Sequence, residues 1–423
     1  MSRKTRTILF SVFVFLFFII SPVAVLYSQG YRFDFANKKI TKTGGIFLKI
    51  SPKQADIYID GKPLKKTDFF SGSALLGNLL PKTYKISVKK DGFQIWEKNL
   101  EVQGKEVTEA KNIILFPEKA QFSFLSKGIQ DFWVSSDGKK VVFKETDSNG
   151  WALKLYNLEK NVKSHLIGEK EIYAKGADFT SLEWSQDQKE LYLKVVMKEQ
   201  EKNFALKLDR TPPALVEKIA TSLPENIIVS QKYNNDVYYL NNLGYVYKSD
   251  ATFSPEEKIN ETPFPVQQET EYNLIIFSNY IFLKENQALY SFNSDSKSFE
   301  KIFEGIRDLK ISPDNKKIVY SSDSEIWVLF LEDQNEQPQR NAGEKVFLTR
   351  FSENIGDVFW LNSDYLIFNI GDKIKIAEID NRDRVNIYDL GEFTSPKIFF
   401  AQNSKKLYFL SNDSLSFSEN LIP

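Results

Sequence analysis

Residues 311–329, ISPDNKKIVYSSDSEIWVL, read as short strands around a Ser-Pro-Asp-Asn turn, with apolar and polar residues alternating at the period of two that a half-buried strand requires. The pattern of strand, polar turn and strand returns in VSSDGKKVVF from Val134, WSQDQKELYL from Trp184 and FAQNSKKLYF from Phe400. Three weaker copies, VSQKYNNDVYYL from Val229, FSNYIFL from Phe277 and WLNSDYLIF from Trp360, bring the count to seven. Measured from Ser135, Ser185, Ser230, Ser278, Ser312, Leu361 and Ala401, the steps run from 34 to 50 residues, with a mean near 44. A third alternating strand follows several pairs, as in WALKLYNL (151–158), FALKLD (204–209), EIWVLFL (325–331) and KIKIAEI (373–379), and a fourth, more polar strand precedes the next unit. Four antiparallel strands in each roughly 40–50 residues is the arithmetic of a β-propeller blade, and no helical solenoid reads with period two. The expected fold is therefore all-β, with about seven four-stranded blades over residues 118–423.

The last unit supplies PKIFFAQ, KKLYFLS and SLSFSEN but no fourth strand. An open ring would leave an unpaired edge, which such folds avoid. The spare strand is AQFSFLS, residues 120–126, which is expected to complete the seventh blade by pairing antiparallel with residues 414–419. That closure is expected to set the preceding domain beside the joint between blades one and seven.

Upstream of the repeats, YRFDF (31–35) alternates at period two, and residues 44–117 string together short alternating runs broken by Pro, Asp-Gly and Gln-Gly turns. Residues 31–117 read as one small antiparallel β-domain. Asp60-Gly61, between ADIYI and KPL, is the best hairpin signal because glycine tolerates the positive φ of a tight primed turn, and Asp91-Gly92 repeats the device. FPEK (116–119) is too short a link for free rotation, so the two domains are expected to sit close together. The stretches MKEQEKN (197–203), LEDQNEQPQRNAGEKV (331–346) and TPFPVQQET (262–270) read as solvated loops.

Pro52 and Ala55 before IYIDGK, then LLPKTYKISVKKDGF, then Trp96 in an outgoing strand, resemble the PEGA domain, a small β-sandwich module common in prokaryotic envelope proteins. Gln54 stands where the name-giving motif carries glycine, and Lys82 follows Pro81 where glycine is usual; both positions fall in turns. The resemblance implies an exported, surface-associated role and carries no catalytic residues. Tyr84 and Trp96 read as packing residues rather than a binding platform. The Ser-x-Asp-(Gly/Asn)-Lys-Lys turn of the repeats is similar to the blades of TolB-like propellers and lacks the Gly-His and Trp-Asp dipeptides of WD repeats. Asp, Asn and Gly serve the hairpin there without any further role.

At the N-terminus, residues 8–26 carry no charge, enough at about 1.5 Å per residue to cross roughly 30 Å of hydrocarbon. Arg3, Lys4 and Arg6 precede this stretch and only Arg32 closely follows, so the positive-inside bias keeps the N-terminus cytoplasmic and the body outside. Lys38, Lys39 and Lys42 weigh the other way. The rival reading is a signal peptide cleaved after Gly30, since Ser28-Gln29-Gly30 is a small-x-small triplet. Either reading exports the body. Residues 1–30 are thus a cytoplasmic N-terminus and anchor, with the lipid bilayer as the first partner through residues 8–26.

Composition narrows the chemistry. Fifty-six basic and fifty-six acidic residues cancel, which gives no field for nucleic acid. The chain has no cysteine, excluding disulfides and thiolate sites, and His165 is the single histidine, placed in a polar strand end that reads as an ordinary surface site. No Gly-x-Ser-x-Gly elbow, Walker loop, dinucleotide fingerprint, sialidase-type Asp box or calcium loop occurs. No residue is therefore singled out as catalytic, cofactor-binding or metal-binding. The expected function is a non-enzymatic, membrane-tethered envelope protein whose propeller binds a protein or a glycan. The alternative is an envelope hydrolase or lyase that uses carboxylates in the propeller channel; three or more acidic side chains converging in a pocket, with raised pKa values, would favour it.

Overall fold

The computed structural model describes residues 3–147, 150–172, 176–185, 187–210, 212–218, 224–419 and 421–422. The side chains of Arg3 and Lys4, on which the orientation reading partly rests, lie outside what is described. The chain opens with a helix, Arg3–Ser28. Its stretch Thr5–Ser28 is 24 residues long, apolar enough to cross a membrane, and buried nowhere against the rest of the chain; a membrane span and a signal sequence share this form. Gly30, at φ +84°, turns the chain out of the helix. Strands Tyr31–Asp34 and Lys39–Lys42 then pair only with each other, so YRFDF forms a separate hairpin rather than part of the next domain.

Residues 44–114 form two sheets. One has the order Ser73–Leu79, Gly44–Ser51, Val107–Ile114, and the other Lys62–Lys66, Asp56–Ile59, Thr83–Lys89, Trp96–Glu101. They share a core that includes Ile46, Leu48, Ile57, Ile86, Trp96 and Leu100. This unit is not wholly antiparallel as the sequence suggests, because Gly44–Ser51 pairs parallel with Val107–Ile114. Parallel neighbours need a long crossover, and residues 52–106, which build the second sheet and strand Ser73–Leu79 of the first, supply it. Asp60-Gly61 makes the expected tight turn, with φ of 48° and 78°. Asp91-Gly92 does not repeat it: residues 90–95 form a wider loop tied down by a bridge between Phe93 and Pro117.

From residue 122 onward the described residues form seven four-stranded sheets. Six are simple meanders in chain order, beginning at Ile129, Ala177, Ile227, Tyr272, Asp308 and Ile355. Among the described residues, hydrophobic cores lie between consecutive sheets at every junction but that of the second sheet with the third. Val142 and Leu153 pack with Leu182 and Leu193, Leu240 with Leu274, Phe282 with Ile318, and Val328 with Trp360 and Phe368. The ring closes where Phe132 and Phe143 of the first sheet pack on Tyr408 and Leu415 of the last. Cores shared face to face around a ring are the defining packing of a propeller.

The repeated turn has a hydrogen-bonding reason. Ser135 Oγ donates to Asp137 Oδ1 at 2.6 Å and accepts the Lys140 amide at 3.0 Å, while Asp137 Oδ1 accepts the Lys139 amide. Ser185 with Asp187, and Ser312 with Asp314, repeat the arrangement. These serines are buried, so the hydroxyl satisfies a backbone group that water cannot reach. The turn is architectural.

Strand Phe122–Lys127 pairs antiparallel with Ser414–Ser418 and completes the last sheet, as the sequence requires. The two-sheet domain, however, does not sit beside the joint of the first and last sheets. It packs over the sheet of residues 355–392, because Ile114 and Phe116 enter the core there with Tyr365 and Tyr388 before the chain runs out to residue 122. Three loop readings also change. MKEQEKN is a strand–turn–strand, with Lys198 and Glu199 both at positive φ between Glu190–Met197 and Gln200–Lys207. TPFPVQQET buries Phe264 among Tyr272, Tyr290 and Phe299. Residues 331–344 lie against the two-sheet domain through Gln337.

Removing residues 120–126 exposes the edge of Ser414–Ser418 and forfeits ladder hydrogen bonds of roughly 1 kcal/mol each. Compared with a chain beginning at Ala120, one beginning at Lys127 is expected to melt several degrees lower or to lose solubility; equal melting temperatures by calorimetry would remove closure from the account.

Candidate functional site at the domain junction

Strand Trp96–Glu101 alternates so that Trp96, Lys98 and Leu100 share its buried face. Leu100 fills the core of its own domain, while Trp96 and Lys98 also reach the propeller. Lys98 is 0% exposed. Its Nζ lies 2.6 Å from Glu378 Oε1, donates to the Asp380 carbonyl at 2.6 Å, and stands 3.6 Å from Asp380 Oδ1. Glu378, the last residue of strand Lys373–Glu378, accepts further from Trp96 Nε1 at 2.9 Å and from the Asn386 amide and side chain at 3.0 and 2.7 Å. Burial pushes the Glu378 carboxyl above its ordinary value, and the Lys98 charge works against that rise. Asp380 goes the other way: burial would raise it, but the hydrogen bond from Arg382 and the charges of Lys98 and Arg382 hold it below the usual carboxylate range.

Around this centre the two domains meet through single, specific contacts. The Asn99 amide donates to Asp383 Oδ2 at 2.9 Å, and Arg384 to Glu97 Oε1 at 3.1 Å. Gln94 Nε2 reaches the Asp389 carbonyl at 2.9 Å, and the Ile114 amide reaches the Tyr365 hydroxyl at 3.0 Å. Gln337 accepts the Glu109 amide at 2.9 Å and donates to the Val107 carbonyl at 3.1 Å. Its side-chain amide thereby pairs with an edge strand as a peptide would.

Several openings flank the contact, one of them between Lys85, Glu97, Asp383 and Arg384. A cavity of about 50 Å³ is lined by Trp96, Lys111, Arg340, Asp364, Glu378 and Arg382 among others. Burial pushes the Asp364 carboxyl up, partly offset by Lys317. A wider groove of about 750 Å³ runs alongside, with Asn99, Gln103, Glu106, Gln337, Gln339 and Arg382 on its walls. Its lining is polar, with amides and charges of both signs.

The residues weighed from sequence fall as follows. Trp96 is core and junction at once, and Tyr84 is core, donating to the Leu80 carbonyl at 3.0 Å. His165 lies half-exposed on strand Val162–Gly168, 2.6 Å from Glu171 Oε2. On the first strands of the sheets, Asp131 pairs with Lys397 and Asp308 with Lys310. Among the described residues, Asp364, Glu378 and Asp380 line one cavity at the domain junction, and Asp314, Glu332, Asp333 and Glu336 line a second opening that also takes in Asp364. Among the described residues no cluster of His, Cys, Asp and Glu could hold a metal ion. Lys98, Glu378 and Gln337 were not singled out by sequence.

No family model matches the chain, and no curated protein matches it. Among solved structures it is similar to the β-propeller domain of Cps50 (Swd1) from Myceliophteria thermophila, at 14% identity and a TM-score of 0.43 over 71% of this chain and 99% of that one. It is also similar to YCF48 from Cyanidioschyzon merolae, at 10% identity and a TM-score of 0.43 over 71% and 98%. A 6-phosphogluconolactonase-like protein from Bacteroides fragilis aligns at 14% identity and a TM-score of 0.40 over 68% and 94%. At these values the assignment of a propeller rests on this chain's own strand pairing and shared cores.

Breaking a buried ion pair from one side costs about 3–5 kcal/mol, whereas removing both charges together is near neutral. Lys98→Met is therefore expected to be strongly destabilising, and Lys98→Met with Glu378→Gln, which keeps an acceptor for Trp96 and Asn386, to recover most of the loss in a double-mutant cycle. Glu378 has a raised folded pKa, so the fold favours its protonated form, and that preference is lost as pH rises through the folded value. The Lys98→Met penalty should accordingly be largest at neutral pH and shrink as pH falls through the raised folded value, before the ordinary value of 4.5 is reached. A penalty independent of pH, followed by urea melts, would contradict the pairing.

Proposed function

We propose that this chain is a membrane-tethered, extracytoplasmic envelope protein that acts without catalysis, as a scaffold presenting the domain-junction groove to a protein or glycan partner. Residues 1–30 are the cytoplasmic N-terminus and anchor, residues 31–43 a separate hairpin, residues 44–117 a PEGA-like domain, and residues 118–423 a TolB-like propeller of seven blades. The observation that carries the reading is the junction itself: Lys98, with no exposure, is held by Glu378 and the Asp380 carbonyl, fixing two domains as one body around an open polar groove. Preorganisation of that kind lowers the ordering cost of binding. The exposed apolar helix supports tethering, and the Asp60-Gly61 hairpin and two-sheet core support the PEGA-like assignment.

The second reading, a hydrolase or lyase, has one observation in its favour: Asp364, raised by burial, lines the cavity beside Glu378 and Asp380. Those two carboxylates are engaged by Lys98, Trp96, Asn386 and Arg382, and in the adjoining opening Asp314 is held by Lys317 and Glu332 faces Lys316, so no second carboxyl is set opposite Asp364 within the cavity as acid–base hydrolysis of this kind uses.

Cells stripped of outer layers and treated with external protease are expected to lose the body, and the untreated membrane fraction to hold the full-length chain; protection until lysis would reverse the orientation, and a chain beginning near Tyr31 would establish cleavage. A photocrosslinker placed at Gln103 or Gln339 is expected to give a discrete adduct in native membranes that the same probe at Leu243, on the propeller far from the groove in sequence and exposed, does not give. Identical patterns at all three positions, with no glycan retained by the groove, would set the scaffold reading aside.

A further inference from the structure

The hairpin that follows the helix has two unlike faces. Phe33 lies opposite Ile40 and Tyr31 opposite Lys42, so these four share one face, while Arg32, Asp34, Lys39 and Thr41 share the other. Phe35 joins the first face through an edge-on contact with Phe33 at 4.9 Å. Phe33, Phe35 and Ile40 are 47%, 83% and 59% exposed. Asp34, the one acidic residue of the hairpin, is buried and spent internally: it accepts the amides of Ala36 and Asn37 at 3.0 and 3.1 Å and the Asn37 side chain at 2.8 Å, which makes the tip rigid. Lys38, Lys39 and Lys42 therefore leave the hairpin basic.

Its base is fixed to the end of the helix. Arg32 donates to the Tyr27 carbonyl at 2.7 Å, stacks over the Tyr27 ring at 3.4 Å, and reaches Asn78 Oδ1 at 3.1 Å. Thr43 closes the base through its amide, 2.9 Å from the Gly30 carbonyl. The 24-residue apolar stretch of the helix is about 36 Å long against a hydrocarbon core of roughly 30 Å, which leaves room for its last turn in the headgroup layer. An aromatic, basic hairpin begins two residues later.

We propose that this hairpin lies in the headgroup layer of an anionic bilayer, with Phe33, Phe35 and Ile40 entering the acyl boundary and Lys38, Lys39 and Lys42 meeting lipid phosphates. The inference rests on the reading that the helix spans the membrane. Aromatic side chains favour that layer and lysines reach its anionic groups. The hairpin is thus a second membrane contact, which together with Arg32 sets the tilt of the body.

The chain has no cysteine, so a spin label can be placed at one chosen residue of the full-length protein. Labels at Phe35→Cys and Ile40→Cys, in vesicles of phosphatidylcholine with phosphatidylglycerol, are expected to be shielded severalfold from an aqueous nickel relaxant relative to Leu243→Cys. The shielding should fall in phosphatidylcholine alone and in Lys38→Gln/Lys39→Gln/Lys42→Gln. Phe17→Cys serves as the control for the span. If label 17 reads as bilayer centre while labels 35 and 40 match label 243, this inference alone fails. If label 17 also reads as aqueous, the spanning reading fails with it. Shielding unaffected by either lysine replacement or lipid charge would overturn the part assigned to phosphate.

Discussion

Ring closure by strand Phe122–Lys127 is the constraint from which the rest of the molecule follows. A propeller whose last sheet lacked its outer strand would present the edge of Ser414–Ser418 to solvent, and the chain meets that need with a segment from the other end of the fold. Phe116 is buried with Tyr365 and Tyr388, and Phe122 packs on Phe393 and Phe409. The residues between them can span at most about 20 Å. With Ile114 and Phe116 seated in that core, the domain that precedes them is held over the sheet of residues 355–392.

Proximity brings two polar surfaces together, and the Lys98–Glu378 contact decides their register. Removing both charges from water costs several kcal/mol, and their mutual attraction repays that only where the geometry and the remaining hydrogen bonds are right. Here Glu378 also accepts from Trp96 and Asn386, and Lys98 also donates to the Asp380 carbonyl. An apolar contact of equal area could slide by a residue. A lysine with no exposure cannot, since every other register leaves its charge unpaired in a low-dielectric setting. Gln337 adds a directional contact of the same kind at the edge of strand Val107–Ile114.

The parts of this fold that were legible in the sequence are those encoded locally. Alternation and the Ser-x-Asp turns mark the strand pairs because each serine and aspartate acts within five residues of its own position. The closing strand could be reasoned out as well, since an unpaired edge is a constraint on the whole ring. The parallel pairing of Gly44–Ser51 with Val107–Ile114 could not, because strand direction across a long connection leaves no local trace. Lys98 was visible as a lysine between Trp96 and Leu100 on an inward face, yet its partner lies 280 residues away in sequence. The same distance hid the junction groove. MKEQEKN misled for the opposite reason: its polar residues belong to an exposed hairpin tip, where composition resembles a loop while the backbone remains a ladder.

The connection between the N-terminal helix and the two-sheet domain is short and held by several hydrogen bonds. Gly30 and Thr43 close the base of the hairpin, Arg32 ties the helix end to Asn78 of the next domain, and Gly44 begins the central strand of that domain's first sheet. No Gly/Ser-rich segment intervenes to act as a flexible coil. With the helix in a bilayer, the height of the groove above the surface is therefore set by the thickness of the intervening domain rather than by the length of a tether. On the proposed scaffold reading, a rigid mount of this kind would narrow the volume that the groove samples and raise its effective concentration toward a partner at one level above the membrane.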